Sequence, residues 1–187
     1  MTLTVFILAG GESLRMGQDK GMMFGGVSRL KKMLGACGVS RIIILCGAEE
    51  RSALFQGDVW PDPPGVQGIH HLISWACRRV DSSCLLLPCD AFLMTEEAFQ
   101  ALVERTVIGG VPLDRNGRRQ PLFARIPQGY DFAEDAASVG HLLEDLPSVQ
   151  MEGFASAFTN FNSAEDLRDH QQKLLSLHGE HVLQQSM

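Results

Sequence analysis

Short, almost uniformly apolar runs separated by stretches of helical periodicity leave this chain few folds to choose from. Leu3–Leu8, Arg41–Cys46, Cys84–Pro88 and Thr106–Val111 read as strands. Most are too uniformly apolar to leave one face wet, so burial on both faces is expected. Helices are expected between them at about Ser28–Gly35, Gly68–Arg79 and Thr95–Glu104, the last opened by Thr95 as a cap with Glu96 and Glu97 in its first turn. Strand–helix–strand alternation implies a largely parallel sheet covered by helices. The expected architecture is α/β: a single-domain, Rossmann-like three-layer sandwich with helices on both faces of the sheet.

After residue 112 the pattern changes. A loop at Asp114–Arg119, a strand at Gln120–Ile126, a helix within Phe132–Leu146 and a last helix from about Ser163 imply a mixed edge to the sheet. At 187 residues the chain can bury one core and is too short for two comfortable domains. Residues 1–178 are read as the domain and 179–187 as a polar, flexible tail expected to fray.

No apolar run approaches the ~20 residues that span a bilayer, so no membrane association is expected. The apolar start carries no preceding Lys or Arg and runs into a glycine loop rather than a cleavage site, so no signal peptide is expected. Cys37, Cys46, Cys77, Cys84 and Cys89 make an odd count with neither a C-x-x-C pair nor zinc spacing, which suits a reducing cytoplasm. A net charge of −6 argues against a broad nucleic-acid surface. Any anionic ligand must then be held by a few local cations.

Such cations follow the first strand. The stretch Leu8-Ala9-Gly10-Gly11-Glu12-Ser13-Leu14-Arg15-Met16-Gly17-Gln18-Asp19-Lys20 combines glycines with Arg15 and Lys20. Ligands of open α/β sheets bind beyond the C-terminal strand ends, where this loop falls. Glycines let backbone N–H groups approach phosphate oxygens, and the two cations can neutralise charge that builds during phosphoryl transfer. The loop has neither the Gly-Lys-[Ser/Thr] of a Walker A motif nor G-x-G-x-x-G spacing. Two adjacent glycines alone would suit a surface turn equally well.

The whole string resembles the L-A-G-G-x-S-x-R-M-G-x-D-K signature of molybdenum cofactor guanylyltransferases, the MobA family, at every fixed position. The resemblance implies a nucleotide-diphospho-sugar transferase-like fold. It assigns nucleotide binding to Leu8, Ala9, Gly10, Gly11, Lys20, Asp62 and Asp90, and catalysis to Arg15, Lys20 and Asp90. Cytidylyltransferases of the same pathway read L-A-A-G, so Gly10 points to GTP; its missing Cβ would make room for a purine or permit a backbone contact.

Asp90 ends the run Cys84-Leu85-Leu86-Leu87-Pro88-Cys89-Asp90, just past a strand expected to be buried. Mg²⁺ takes one or two protein oxygens and otherwise binds water and substrate phosphate, so a lone Asp suffices; a turn former or helix cap is the structural alternative. The resemblance favours the metal, because Pro88-Cys89-Asp90 is similar to the family's P-x-D motif. Phe158-Thr159-Asn160-Phe161-Asn162 resembles F-x-N-x-N, which implies that Asn162 joins Asp90 at the metal and Asn160 binds substrate. Asn162 or Ser163 would also cap the last helix. Arg118-Arg119-Gln120-Pro121-Leu122 resembles the family's R-x-Q-P-L, and its cations would suit a pterin phosphate or, on residue chemistry alone, a solvated loop. Adjacent His70 and His71 lack the i, i+3 or i, i+4 spacing of a helical metal pair and are expected on a helix surface or loop edge.

Two segments depart from the pattern. The interval from Lys20 to the Arg41–Cys46 strand is about one helical turn shorter than is usual in the family, which implies a truncated first helix. The G-P-L-x-G loop appears as Pro64-Gly65-Val66-Gln67-Gly68, and Gly47 stands where some relatives carry a polar side chain near the base.

The resemblance implies that the terminal phosphate of molybdopterin, or of its molybdenum form, attacks the α-phosphorus of GTP with Mg²⁺ present. The acceptor would be a molybdoenzyme or a delivery protein. A phosphate nucleophile is largely ionised near neutral pH and demands no general base. A cytidylyl- or sugar-phosphate nucleotidyltransferase is the alternative within the class, and a noncatalytic cofactor-binding protein the alternative outside it.

Overall fold

A computed structural model describes residues 2–10, 21–161 and 164–179. The elements are β1 (Leu3–Leu8), α1 (Gly26–Ala36), β2 (Arg41–Gly47), β3 (Asp58–Pro61), α2 (Ile69–Cys77), β4 (Ser83–Pro88), α3 (Glu96–Arg105), β5 (Val111–Pro112), β6 (Arg125–Ile126), α4 (Val139–Leu142), β7 (Ser148–Val149), α5 (Ala164–Asp169) and α6 (Gln171–His178).

The main sheet has the order β3-β2-β1-β4-β6, and β5 pairs with β7 apart from it. The pairs β3·β2, β2·β1 and β1·β4 are parallel, while β6 runs antiparallel to β4. The mixed edge is therefore real, and the C-terminal ends of the four parallel strands share one rim.

Each apolar strand feeds both faces through its period of two. Val5 and Ile7 of β1, Ile44 and Cys46 of β2 and Leu85 and Leu87 of β4 pack against Val27, Leu30 and Leu34 of α1 and Phe99 and Leu102 of α3. Phe6, Ile43, Leu45 and Leu86 pack on the other face with Leu72, Ile73 and Ala76 of α2 and Val139 and Leu142 of α4. That is the three-layer sandwich. A third cluster unites Met23, Phe24, Phe92, Leu93, Phe161 and Leu174, bringing the C-terminal helices against the segment after β4.

The capping chemistry is local. Thr95 Oγ1 accepts from Ala98 N at 3.2 Å, and Ser138 Oγ accepts from His141 N at 3.2 Å.

Several elements after residue 105 differ from the sequence reading. The strand expected over Thr106–Val111 begins only at Val111, because Thr106 N still bonds back to Leu102 O and Gly109 turns at φ +100. The strand expected over Gln120–Ile126 is shortened to Arg125–Ile126, because Pro121, which has no N–H to donate, opens a 3₁₀ turn over Pro121–Phe123. The helix expected within Phe132–Leu146 is the single turn of α4. The final helix divides at His170 into α5 and α6. β3, an edge strand, was not anticipated. Helix α1 starts at Gly26, two residues before the expected Ser28.

A candidate nucleotide site at the strand ends

The rim is stitched by backbone hydrogen bonds that continue past the strands. Ala9 N donates to Leu45 O at 2.8 Å, Cys89 N to Leu8 O at 3.0 Å and Asp62 N to Gly47 O at 2.8 Å. The starts of the segments after β1, β2, β3 and β4 are therefore held side by side. Leu8, Ala9, Gly10, Asp62 and Asp90 come together on this rim; Gly11, Arg15, Lys20 and Asn162 lie outside the described residues.

Gly10 and Gly47 meet backbone to backbone. A Cβ on Gly10 would lie 2.8 Å from both Cα and N of Gly47, and one on Gly47, which has φ +82, would lie 2.7 Å from Gly10 O. Neither contact admits a side chain without movement of main chain. The absence of a Cβ at Gly10 thus serves the approach of its own chain at Gly47, and Gly47 lacks one for the same reason.

Arg51, unremarked in the sequence, sits in the turn after β2. Its Nε donates to Cys46 O at 2.8 Å and its Nη2 to Ala9 O at 2.7 Å, tying the ends of β1 and β2 together. A cation a few residues beyond a buried strand was the available signal.

Asp90 is only 8% exposed. It follows β4 in a tight turn in which Ala91 N donates to Pro88 O at 3.0 Å and Phe92 N to Asp90 O at 2.7 Å. A buried carboxylate on this rim is a hard oxygen donor suited to a hard divalent cation. Asp62 is exposed, yet partial desolvation raises its carboxyl above the usual value. No group of three or more His, Cys, Asp or Glu able to hold a metal occurs among the described residues.

Gln120 and Asn160 are also brought together. Asn160 Nδ2 donates to Gln120 Oε1 at 2.6 Å, and Gln120 Nε2 donates to Asp114 Oδ2 at 2.8 Å. The other oxygen of Asp114 accepts from Asn116 N at 2.8 Å and Arg118 N at 3.0 Å. Asp114, also unremarked in the sequence, thus orders the Arg118–Gln120 loop and, through Gln120, links it to Asn160.

Arg119 faces elsewhere: its guanidinium donates to Leu143 O, Leu146 O and Ser148 Oγ. The Arg118 side chain is exposed. His70 lies in the first turn of α2 and His71 Nδ1 lies 2.6 Å from Gln67 O, so both sit at the helix start. The five cysteines are free.

Fold and rim define a class: an α/β protein that presents backbone and carboxylates for a nucleotide at the C-terminal ends of parallel strands. A family model described as MobA-like NTP transferase domain matches residues 5–160. The chain belongs to that family and is a nucleotidyltransferase.

A relative from Pelotomaculum thermopropionicum, named "Probable molybdenum cofactor guanylyltransferase", is 28% identical over 176 residues, 88% of this chain and 80% of the relative. One of the same name from Synechococcus elongatus is 35% identical over 99 residues, 48% of this chain and 51% of the relative.

Among solved structures, a Mycobacterium sp. strain JC1 protein superposes with TM-score 0.67 at 19% identity, covering 94% of this chain and 98% of that one. The 4-diphosphocytidyl-2C-methyl-D-erythritol synthase of Anaerococcus prevotii does so with TM-score 0.53 at 13% identity, covering 92% and 97%. These two likenesses concern the fold. No helix among the described residues is long and apolar enough to cross a membrane.

Proposed function

We propose that this chain transfers GMP from GTP to the terminal phosphate of molybdopterin or molybdenum cofactor, releasing pyrophosphate and giving a guanine dinucleotide. The observation that carries the reading is the gathering of Leu8–Gly10, Asp62 and the buried Asp90 on one rim. The names of the curated relatives support the substrate pair.

A phosphate oxygen of the pterin attacks the α-phosphorus of GTP, and the bond to the α,β-bridging oxygen breaks as pyrophosphate departs. The nucleophile is already ionised, so the protein supplies position and charge rather than proton transfer. Asp90 and Asn162 would hold Mg²⁺, which supplies charge neutralisation on the phosphates. Lys20 and Arg15 would neutralise the same charge, Gly10 and Gly11 would supply backbone donors, and Asp62 would orient the nucleoside. Asn160, Gln120 and Arg118 form the pterin side, where the Asn160–Gln120–Asp114 chain fixes the loop's shape, while Arg119 braces the Leu143–Ser148 segment instead. A molybdoenzyme or delivery protein receives the product, in the cytoplasm.

The test is a thermal-shift titration with GTP, CTP, ATP and UTP, each with Mg²⁺. Selective stabilisation by GTP is expected; selective stabilisation by CTP would overturn the guanylyl assignment in favour of a cytidylyltransferase.

A further inference from the structure

The turn after Asp90 is held from outside the sheet by two side chains that the nucleotide reading leaves unused. Arg29, on α1, donates through Nη2 to Ala91 O at 2.8 Å and through Nη1 to Met94 O at 3.2 Å. His178, the last residue of α6, places Nε2 2.7 Å from Phe92 O. A carbonyl can only accept, so Nε2 carries the proton. Three of the four carbonyls from Ala91 to Met94 thus receive donors from two different helices.

The arrangement is costly for a mere loop anchor. Arg29 Nε is buried and has no partner among the described residues, and burial lowers the guanidinium pKa to about 10. An unsatisfied buried donor is destabilising. The imidazole of His178 also stacks on Phe24, with ring centroids 5.3 Å apart, and Phe24 meets the Phe92 ring edge-on at 4.7 Å. Side-chain and main-chain contacts therefore converge on the residues that follow Asp90. His178 lies beyond residues 5–160, the span of the family match.

We propose that Arg29 and His178 are positioning residues that fix the Ala91–Met94 turn, and through it the Asp90 carboxylate, for a hard divalent cation. The C-terminal helix α6 is then part of the metal-holding unit rather than an appendage. The inference rests on the reading of Asp90 as the metal-holding residue.

The test uses the full chain, GTP, and Mn²⁺ as the probe, with free Mn²⁺ followed by electron paramagnetic resonance and GTP affinity measured separately without metal. Arg29→Met and His178→Ala should weaken Mn²⁺ binding about tenfold or more, the size of effect seen when a partner that orients a metal ligand is removed. Metal-free GTP affinity should stay unchanged. His178→Gln keeps a donor nitrogen for Phe92 O and should bind Mn²⁺ close to the wild-type level.

Folded His178→Ala that binds Mn²⁺ as tightly as the wild type overturns the inference. So does equal loss in His178→Ala and His178→Gln, or a matching loss of metal-free GTP affinity. If Arg29→Met does not fold, the two His178 variants decide the question. Asp90→Ala, measured alongside, separates the two layers: wild-type Mn²⁺ binding in that variant removes the metal assignment itself. Its loss together with unaltered Arg29 and His178 variants removes only the positioning role.

Discussion

At the residue scale, one absent methyl group sets the spacing at the mouth of the site. The 2.8 Å approach that a Cβ on Gly10 would make to Gly47 is to main chain, so no side-chain rotation relieves it. Gly10→Ala should therefore destabilise the protein by about 1–3 kcal/mol, the usual cost of overpacking, and weaken GTP binding by displacing the start of the loop. A urea titration and a nucleotide titration on the same variant check both. Wild-type values in both would mean that the two backbones part freely. The loop motif made Gly10 conspicuous, but its partner was hidden because the contact exists only once β1 and β2 lie in register. Asp90→Ala tests a different property. Turnover should fall to a small residue of the wild-type rate while the far-ultraviolet dichroism stays unchanged, and retained turnover would remove Asp90 from the reaction.

At the scale of elements, β1, β2 and β4 were legible because each is an apolar run with two buried faces. The stretch beyond residue 105 was not, because Gly109 and Pro121 break strands that hydropathy alone continues. Arg29 was equally illegible: a cation in a helical pattern looks solvated until the turn after β4 closes on it. The aromatic cluster around Phe92 should carry real stability, so Phe92→Ala is expected to cost about 3–5 kcal/mol in a denaturant melt. The docking of α6 should also depend on pH. Burial lowers the His178 pKa, against the pull of its bond to Phe92 O and aided by the Arg29 charge. The unfolded chain then takes up this proton more readily than the native one. The stability contribution is full above the ordinary imidazole value of about 6.5 and declines as pH falls through the lower native value. Urea midpoints of wild type and His178→Gln, compared from about pH 8 to about pH 5, should diverge at the acidic end. Parallel curves would contradict this.

At the scale of the whole molecule, four parallel strands deliver Ala9–Gly10, Gly47, Asp62 and Asp90 to one rim, while helices on both faces keep the strands dry. The three-layer plan, with one rim formed by the C-terminal ends of the parallel strands, was readable from the alternation of strands and helices. What the alternation could not reveal is how the C-terminal part closes the structure: Asn160 reaches Gln120, and α6 reaches the turn after Asp90, contacts between residues far apart in sequence. Ligand binding should stabilise the unit as one. At a hundredfold excess over its dissociation constant, Mg²⁺–GTP would add about 2.7 kcal/mol, or about 5–11 °C in Tm for a domain of this size.

The most direct measurement is transfer itself. Folded protein is incubated with Mg²⁺, molybdopterin and GTP labelled at the α-phosphate, and the label is followed. The account predicts that it appears in a guanine dinucleotide of the pterin with an equal amount of pyrophosphate. Label that remains in GTP, with protein shown to be folded and to bind nucleotide, would contradict it.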